Sequence, residues 1–166
     1  MSKSASLVVA AALVALACSK PKPVEVTPRS VQVTAIVPQG LQLALTLDVR
    51  NPNGFAIRAS DVKGTLSLQD GTVLGSGSAA DTVTVLAEQT AAVPTNLNMS
   101  WTNLAALGPY VLSSQPLPYQ IHGSARIGGE RLNVEVPFDI AGQLTREQLL
   151  QAGLRGSGGV LPALPH

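Results

Sequence analysis

Leu41, Leu43, Leu45, Leu47 and Val49 alternate with Gln42, Ala44, Thr46, Asp48 and Arg50. Side chains along a strand point to opposite faces in turn, so this run predicts a strand with one buried face. Pro52 ends it, because proline has no N–H for a ladder bond. Asn51 is pushed toward extended geometry by the proline after it, and Asn53-Gly54 suits the positive φ of a tight turn.

The same two-residue period recurs along the chain. Val31, Val33, Ala35 and Val37 predict a first strand over 30–37, and Pro38-Gln39-Gly40 a turn. In 57–68 the apolar parity switches from Ile57 and Ala59 to Val62, Leu66 and Leu68, which predicts a bulge or bend near Ser60-Asp61. Asp70-Gly71 is a hairpin turn into a short strand, 72–76, whose glycines mark it as pliable and as an edge. Strands follow over 81–87 and 91–101, with Val93, Leu97, Met99 and Trp101 on one face. The last two, 119–127 and 131–140, flank a turn at Gly128-Gly129. Between them, Leu104, Leu107, Val111 and Leu112 have helical spacing interrupted by Pro109, which predicts one or two short turns capping one end of the core. Thr145 and Gln148 fit a capping box opening a short helix that stops at Gly153 or Gly156. Short strands separated by turns predict an all-β antiparallel sandwich of seven or eight strands with a short C-terminal helix.

Composition makes the core aliphatic: aromatics are 3% of the chain and charged residues 13%. A formal net charge of +1 creates no field that would draw in nucleic acid, and few aromatics means few platforms for stacking bases.

The N-terminus changes the picture more. Lys3 precedes an apolar run, 7–17, too short for a bilayer span of about 20 residues but suited to a secretory signal peptide. Ala17-Cys18 at its end resembles the lipobox of bacterial lipoproteins, although Ala15 and Leu16 depart from the commonest residues there. The resemblance implies cleavage before Cys18, acylation of its thiol and, with Ser19 next, an outer-membrane anchor facing the periplasm. Alternatively, Cys18 is incidental in a secreted protein, or a buried thiol; as the single cysteine, it has no internal disulfide partner. Cleavage removes Lys3 and leaves ten Lys and Arg against ten Asp and Glu. The Pro-rich stretch 18–29 reads as an extended tether holding the domain about 30 Å off the membrane. Lys20 and Lys22 in it either touch anionic headgroups, at about 1 kcal/mol each, or only solubilise the linker. The expected organisation is therefore signal peptide 1–17, tether 18–29, sandwich 30–142, helix 143–155 and flexible tail 156–166.

Residues for catalysis are few. His122 falls on an outward strand face, and His166 ends the tail. No His, Cys or Asp cluster has metal-ligand spacing. Gly75-Ser76-Gly77-Ser78 lacks the lysine and following helix of a phosphate loop. Asp48 and Arg50 read as a solvated strand face. The expectation is no enzyme, no cofactor and no metal.

The strand 41–50, the triplet Asn51-Pro52-Asn53, Lys63-Gly64-Thr65-Leu66, Val73-Leu74-Gly75 and the paired late strands together resemble the late embryogenesis abundant type 2 family, over about residues 31–140. The resemblance implies an immunoglobulin- or fibronectin III-like sandwich without catalysis. It also implies a role in desiccation or other water stress, with client proteins or the membrane as partners. Asn51, Pro52 and Asn53 match the family signature. Their residue types suit Asx-type hydrogen bonds in a fixed turn, or a binding role for the two amides. An envelope module holding one protein partner through the edge near Val73, and a carrier with a lipid pocket, are competing readings.

Overall fold

The computed structural model describes residues 20–113 and 115–156; the signal segment, Cys18 and the last ten residues lie outside them. Among the described residues eight strands form: β1 (Glu25–Val37), β2 (Gly40–Arg50), β3 (Ile57–Leu68), β4 (Val73–Ala79), β5 (Val83–Val85), β6 (Thr90–Trp101), β7 (Leu117–Gly129) and β8 (Leu132–Leu144). A 3-10 turn, Leu104–Leu107, and helix α1 (Gly108–Leu112) separate β6 from β7; helix α2 (Arg146–Gly156) follows β8.

All eight strands belong to one antiparallel sheet, in the order β1-β2-β6-β4-β3-β7-β8, with β5 beside β3. The expected pair of stacked sheets is therefore corrected: one sheet curls into a half-barrel around the core. The deciding contact is β4 on β6, Gly75 opposite Trp101 through Ser78 opposite Asn98, which carries the ladder across what would be the gap between two sheets. β4 is consequently an interior strand and not the expected edge, since β3 pairs with its other side. Twist accumulated over the curled sheet brings β1 and β8, the two ends of the order, toward each other, and α2 packs on β1.

The alternating strand behaves as its pattern dictates. Leu41, Leu43, Leu45, Leu47 and Val49 are all buried and pack with Ile57, Leu74, Leu97, Ile121 and Ile127 in an aliphatic core. In β3 the parity switch is a bulge: register shifts between Ser60 and Lys63, and Asp61 takes φ 48°. Trp101 donates its indole N–H to Val37 O at 3.0 Å, tying β6 to the end of β1. The capping box forms, with Gln148 N–H donating to Thr145 Oγ1 (3.3 Å) and Thr145 N–H to Gln148 Oε1 (2.9 Å).

Other expectations shift. The β7–β8 turn falls on Glu130-Arg131, after Gly128-Gly129, because Gly129 pairs with Leu132. In the capping segment Leu107 packs on the core, but Leu104 and Leu112 are exposed. β1 starts at Glu25, inside the stretch read as a tether, and Val24 and Val26 are buried. Pro28 is accommodated because β1 is an edge strand, with a register shift just after it. Asp48 and Arg50 pair across to β1: Arg29 donates Nε–H to Asp48 Oδ2 at 3.0 Å, with an ion-pair contact from Nη2 to Oδ1 at 2.9 Å, and Arg50 meets Glu25 at 3.4 Å.

At the β3–β4 turn Gly71 takes φ 87°, and the Asp70 carboxylate accepts from Thr72 N–H at 2.9 Å. The Thr72 backbone and side-chain hydrogen bonds hold the Asp70 carboxyl below its ordinary range. A depressed folded-state value adds stability above the unfolded value, and that stability is lost as pH falls through the folded one. NMR titration should therefore give Asp70 a midpoint below an ordinary exposed aspartate, and Thr72→Ala should move it upward.

Candidate functional site

The Asn51-Pro52-Asn53 triplet leaves β2 at the end of the half-barrel where β5 ends and β6 begins. Both asparagines are buried. Asn51 Nδ2 donates to Phe55 O (2.7 Å) and Leu86 O (3.1 Å), with Val85 O at 3.4 Å. Its Oδ1 accepts from Asn53 N–H at 3.1 Å, an Asx-type bond, and its own N–H donates to Gln89 O at 2.8 Å. One side chain thus joins its own turn to the 85–89 loop. Asn53 faces the other way: Nδ2 donates to Lys22 O (3.0 Å) and Oδ1 accepts from Lys22 N–H (2.7 Å). Asn53 O also accepts from Glu88 N–H at 3.0 Å, with Glu88 at φ 58°. The amides are occupied by partners in their own chain, which leaves them little capacity to grip a ligand. Gly54 does not take positive φ; side chains, and not a glycine conformation, shape this turn.

A different polar group is assembled on the outer face, and the alternation pattern alone could not find it. His122 on β7 stands opposite Asp139 on β8 and Thr65 on β3, and Thr65 opposite Ser76 on β4. His122 Nδ1 lies 2.6 Å from Asp139 Oδ1. With Lys63, Ser78 and Ser124 these residues line a shallow trough of about 630 Å³. The His122 and Asp139 side chains are 62% and 77% exposed, so water competes for both. An imidazole oriented by a carboxylate is half of an acid–base apparatus, and among the described residues this one stands in an open trough.

Inside the half-barrel the apolar void bounded by Val33, Leu66, Leu74, Trp101, Ile121 and Leu149 is about 30 Å³. An acyl chain does not fit in it, so this void gives the lipid-carrier reading no pocket among the described residues. Tyr119 lies at its rim, and burial pushes its phenol pKa upward. Among the described residues no group of three His, Cys, Asp or Glu is placed to hold a metal, and no helix is long and apolar enough to cross a membrane.

Known proteins resemble the chain mainly in fold. A solution structure of AT1g01470 from Arabidopsis thaliana superposes with a TM-score of 0.60 at 19% identity, covering 86% of this chain and 91% of that one. A putative late embryogenesis abundant protein, At2g46140.1, gives 0.55 at 15% identity, over 74% of this chain and 71% of its own. A protein from Archaeoglobus fulgidus gives 0.53 at 14% identity, over 75% and 95%. No curated protein sequence matches significantly. The family model described as late embryogenesis abundant protein (LEA_2) matches residues 46–142, from within β2 to within β8 and including the triplet. On that match, over more than half of its length, the chain belongs to the late embryogenesis abundant LEA_2 family.

Proposed function

We propose that this protein is a non-enzymatic lipoprotein of the bacterial envelope, held through acylated Cys18 in the outer membrane facing the periplasm, that protects proteins or the bilayer during water loss. The family match over 46–142 carries this reading. Cys18 at the end of the apolar run supports the anchor. Protection works through a folded surface: the aliphatic core is closed, and Leu104 and Leu112, 49% and 91% exposed, offer apolar contacts beyond the end of β6. Contacts this small are weak and interchangeable between clients, which suits broad protection better than stable binding. The chain from Ser19 onward should keep a labile enzyme active through drying or freeze–thaw better than an inert protein at equal mass. Equal residual activity in the two samples would sink the proposal.

A second reading, an envelope module for one protein partner, draws on the edges of the sheet. Strand addition at β4 is ruled out by its interior position; of the two edges, β1 is interrupted by Pro28 and packed against α2, which leaves β8, paired only with β7, as the edge on which a partner strand would add. In-cell crosslinking that returns one stoichiometric partner, with no stress phenotype on deletion, would favour this module over the protectant.

A further inference from the structure

The N-terminal segment is fastened to the domain far sooner than its prolines imply. Lys22 exchanges both backbone hydrogen bonds with the Asn53 side chain, at 2.7 and 3.0 Å, and Val24 is buried two residues later. From Cys18 to Lys22 there are four Cα–Cα steps, so the two Cα atoms lie within about 15 Å of each other whatever path the chain takes. An anchor at Cys18 is therefore on a short leash, and its point of attachment to the domain is the Asn51–Asn53 end.

What stands beside that attachment is suited to a lipid surface. The 85–89 loop is clamped to the same triplet by Asn51 Nδ2 to Leu86 O and by Glu88 N–H to Asn53 O. Leu86 on this loop is 55% exposed, although its backbone is held on both sides of the clamp. Lys20 and Lys22, also exposed, supply positive charge at the same end. The exposed carboxylate of Glu88 on the same loop offsets part of that charge, but an exposed apolar side chain at the same end as two lysines is still a combination that sits at a headgroup boundary. The opposite end, with Leu104 and Leu112, is separated from it by the 12 residues of β6, about 40 Å of strand.

We propose that the loops carrying Asn51–Asn53 and Leu86 form the membrane-facing end of the domain, with Leu86 seated at headgroup level by the short leash from Cys18, and that the Leu104–Leu112 end is turned away from the bilayer. This rests on the lipid-anchor reading. It replaces a domain swinging on a 30 Å tether with one held at the surface in a fixed orientation, its exposed leucines at the far end presented to soluble clients.

The test uses the full chain matured in a Gram-negative host and reconstituted into phosphatidylethanolamine–phosphatidylglycerol vesicles doped with a lipid bearing a headgroup nitroxide. Acylation consumes the Cys18 thiol, so Leu86→Cys and Leu112→Cys each provide one site for a fluorophore. Mass analysis of the mature N-terminus is run on the same samples. The expected result is an acylated Cys18 and quenching severalfold stronger at position 86 than at 112. Inserting a Gly/Ser linker of about 12 residues after Ser19, which adds roughly 20 Å of reach, should leave the acyl mass unchanged and abolish the difference. Equal quenching at the two positions, or stronger quenching at 112, would overturn the orientation while the anchor stands; a difference that survives the insertion would overturn the short leash as what seats Leu86. An unmodified Cys18 would overturn the anchor and the orientation together.

Discussion

Asn51→Ala is expected to destabilise the domain by about 3–4 kcal/mol, because each buried polar group left without a partner costs about 1–3 kcal/mol. The substitution takes the donor from Phe55 O and Leu86 O and the acceptor from Asn53 N–H, all around a side chain that is 1% exposed. Water entering the vacated space recovers part of the loss, so the three costs do not simply add. For a domain of this size the expected fall in Tm is roughly 10–15 °C. Asn51→Asp separates packing from hydrogen bonding. It keeps the volume and the acceptor for Asn53 N–H but turns a carboxylate toward carbonyl oxygens, which raises its folded-state pKa. That variant should be least stable at neutral pH and regain stability as pH falls through the raised value, whereas Asn51→Ala should show no such recovery. Thermal melts of both at two pH values check this. Near wild-type stability for Asn51→Ala would mean that the triplet is not a clamp.

Gly77→Ala is the second large effect, at about 3 kcal/mol, the upper part of the range for forcing atoms into a packed site. A Cβ there would overlap the Asn98 carbonyl oxygen and lie 2.7 Å from its carbon and 2.8 Å from Met99 Cα. All three are backbone atoms of β6, so relief requires β4 to move away from β6. Amide exchange should show it: protection over 75–78 and 98–101 should fall before the rest of the sheet opens. Gly54→Ala is the control, since nothing lies within 4 Å of its added Cβ and its φ is not positive; it should change stability by less than about 0.5 kcal/mol. The pair separates a glycine required by close approach of two strands from one that merely sits in a turn.

These two sites also mark how much of the molecule was legible in the chain. Gly77 reads as pliability, and pliability suggested an edge. The structure makes it the place where two backbones come too close for a side chain, which joins β4 to β6 and turns two expected layers into one curled sheet. Asn53 reads as a turn residue. Its partner, Lys22, is 31 residues away, and Asn51 reaches carbonyls 34 and 35 residues away. His122 was legible as an outward residue, but its placement 2.6 Å from Asp139 depends on the β7–β8 register.

By itself the sequence determined the features that arise from neighbours a few residues apart. These are the buried face of β2, the parity switch that becomes the β3 bulge at Asp61, the Asp70-Gly71 turn, the Thr145–Gln148 capping box and the all-β class. Side-chain alternation and capping are short-range effects, and their signals are written within one element. Only the tertiary structure decided that the ladder runs unbroken from β1 to β8, that the chain from Val24 onward joins the core, and that Asn53 holds Lys22 at one end of it. Those outcomes depend on which strand edges meet and which buried amides find carbonyls far along the chain, a choice made by the packing of the whole sheet and not by any one segment.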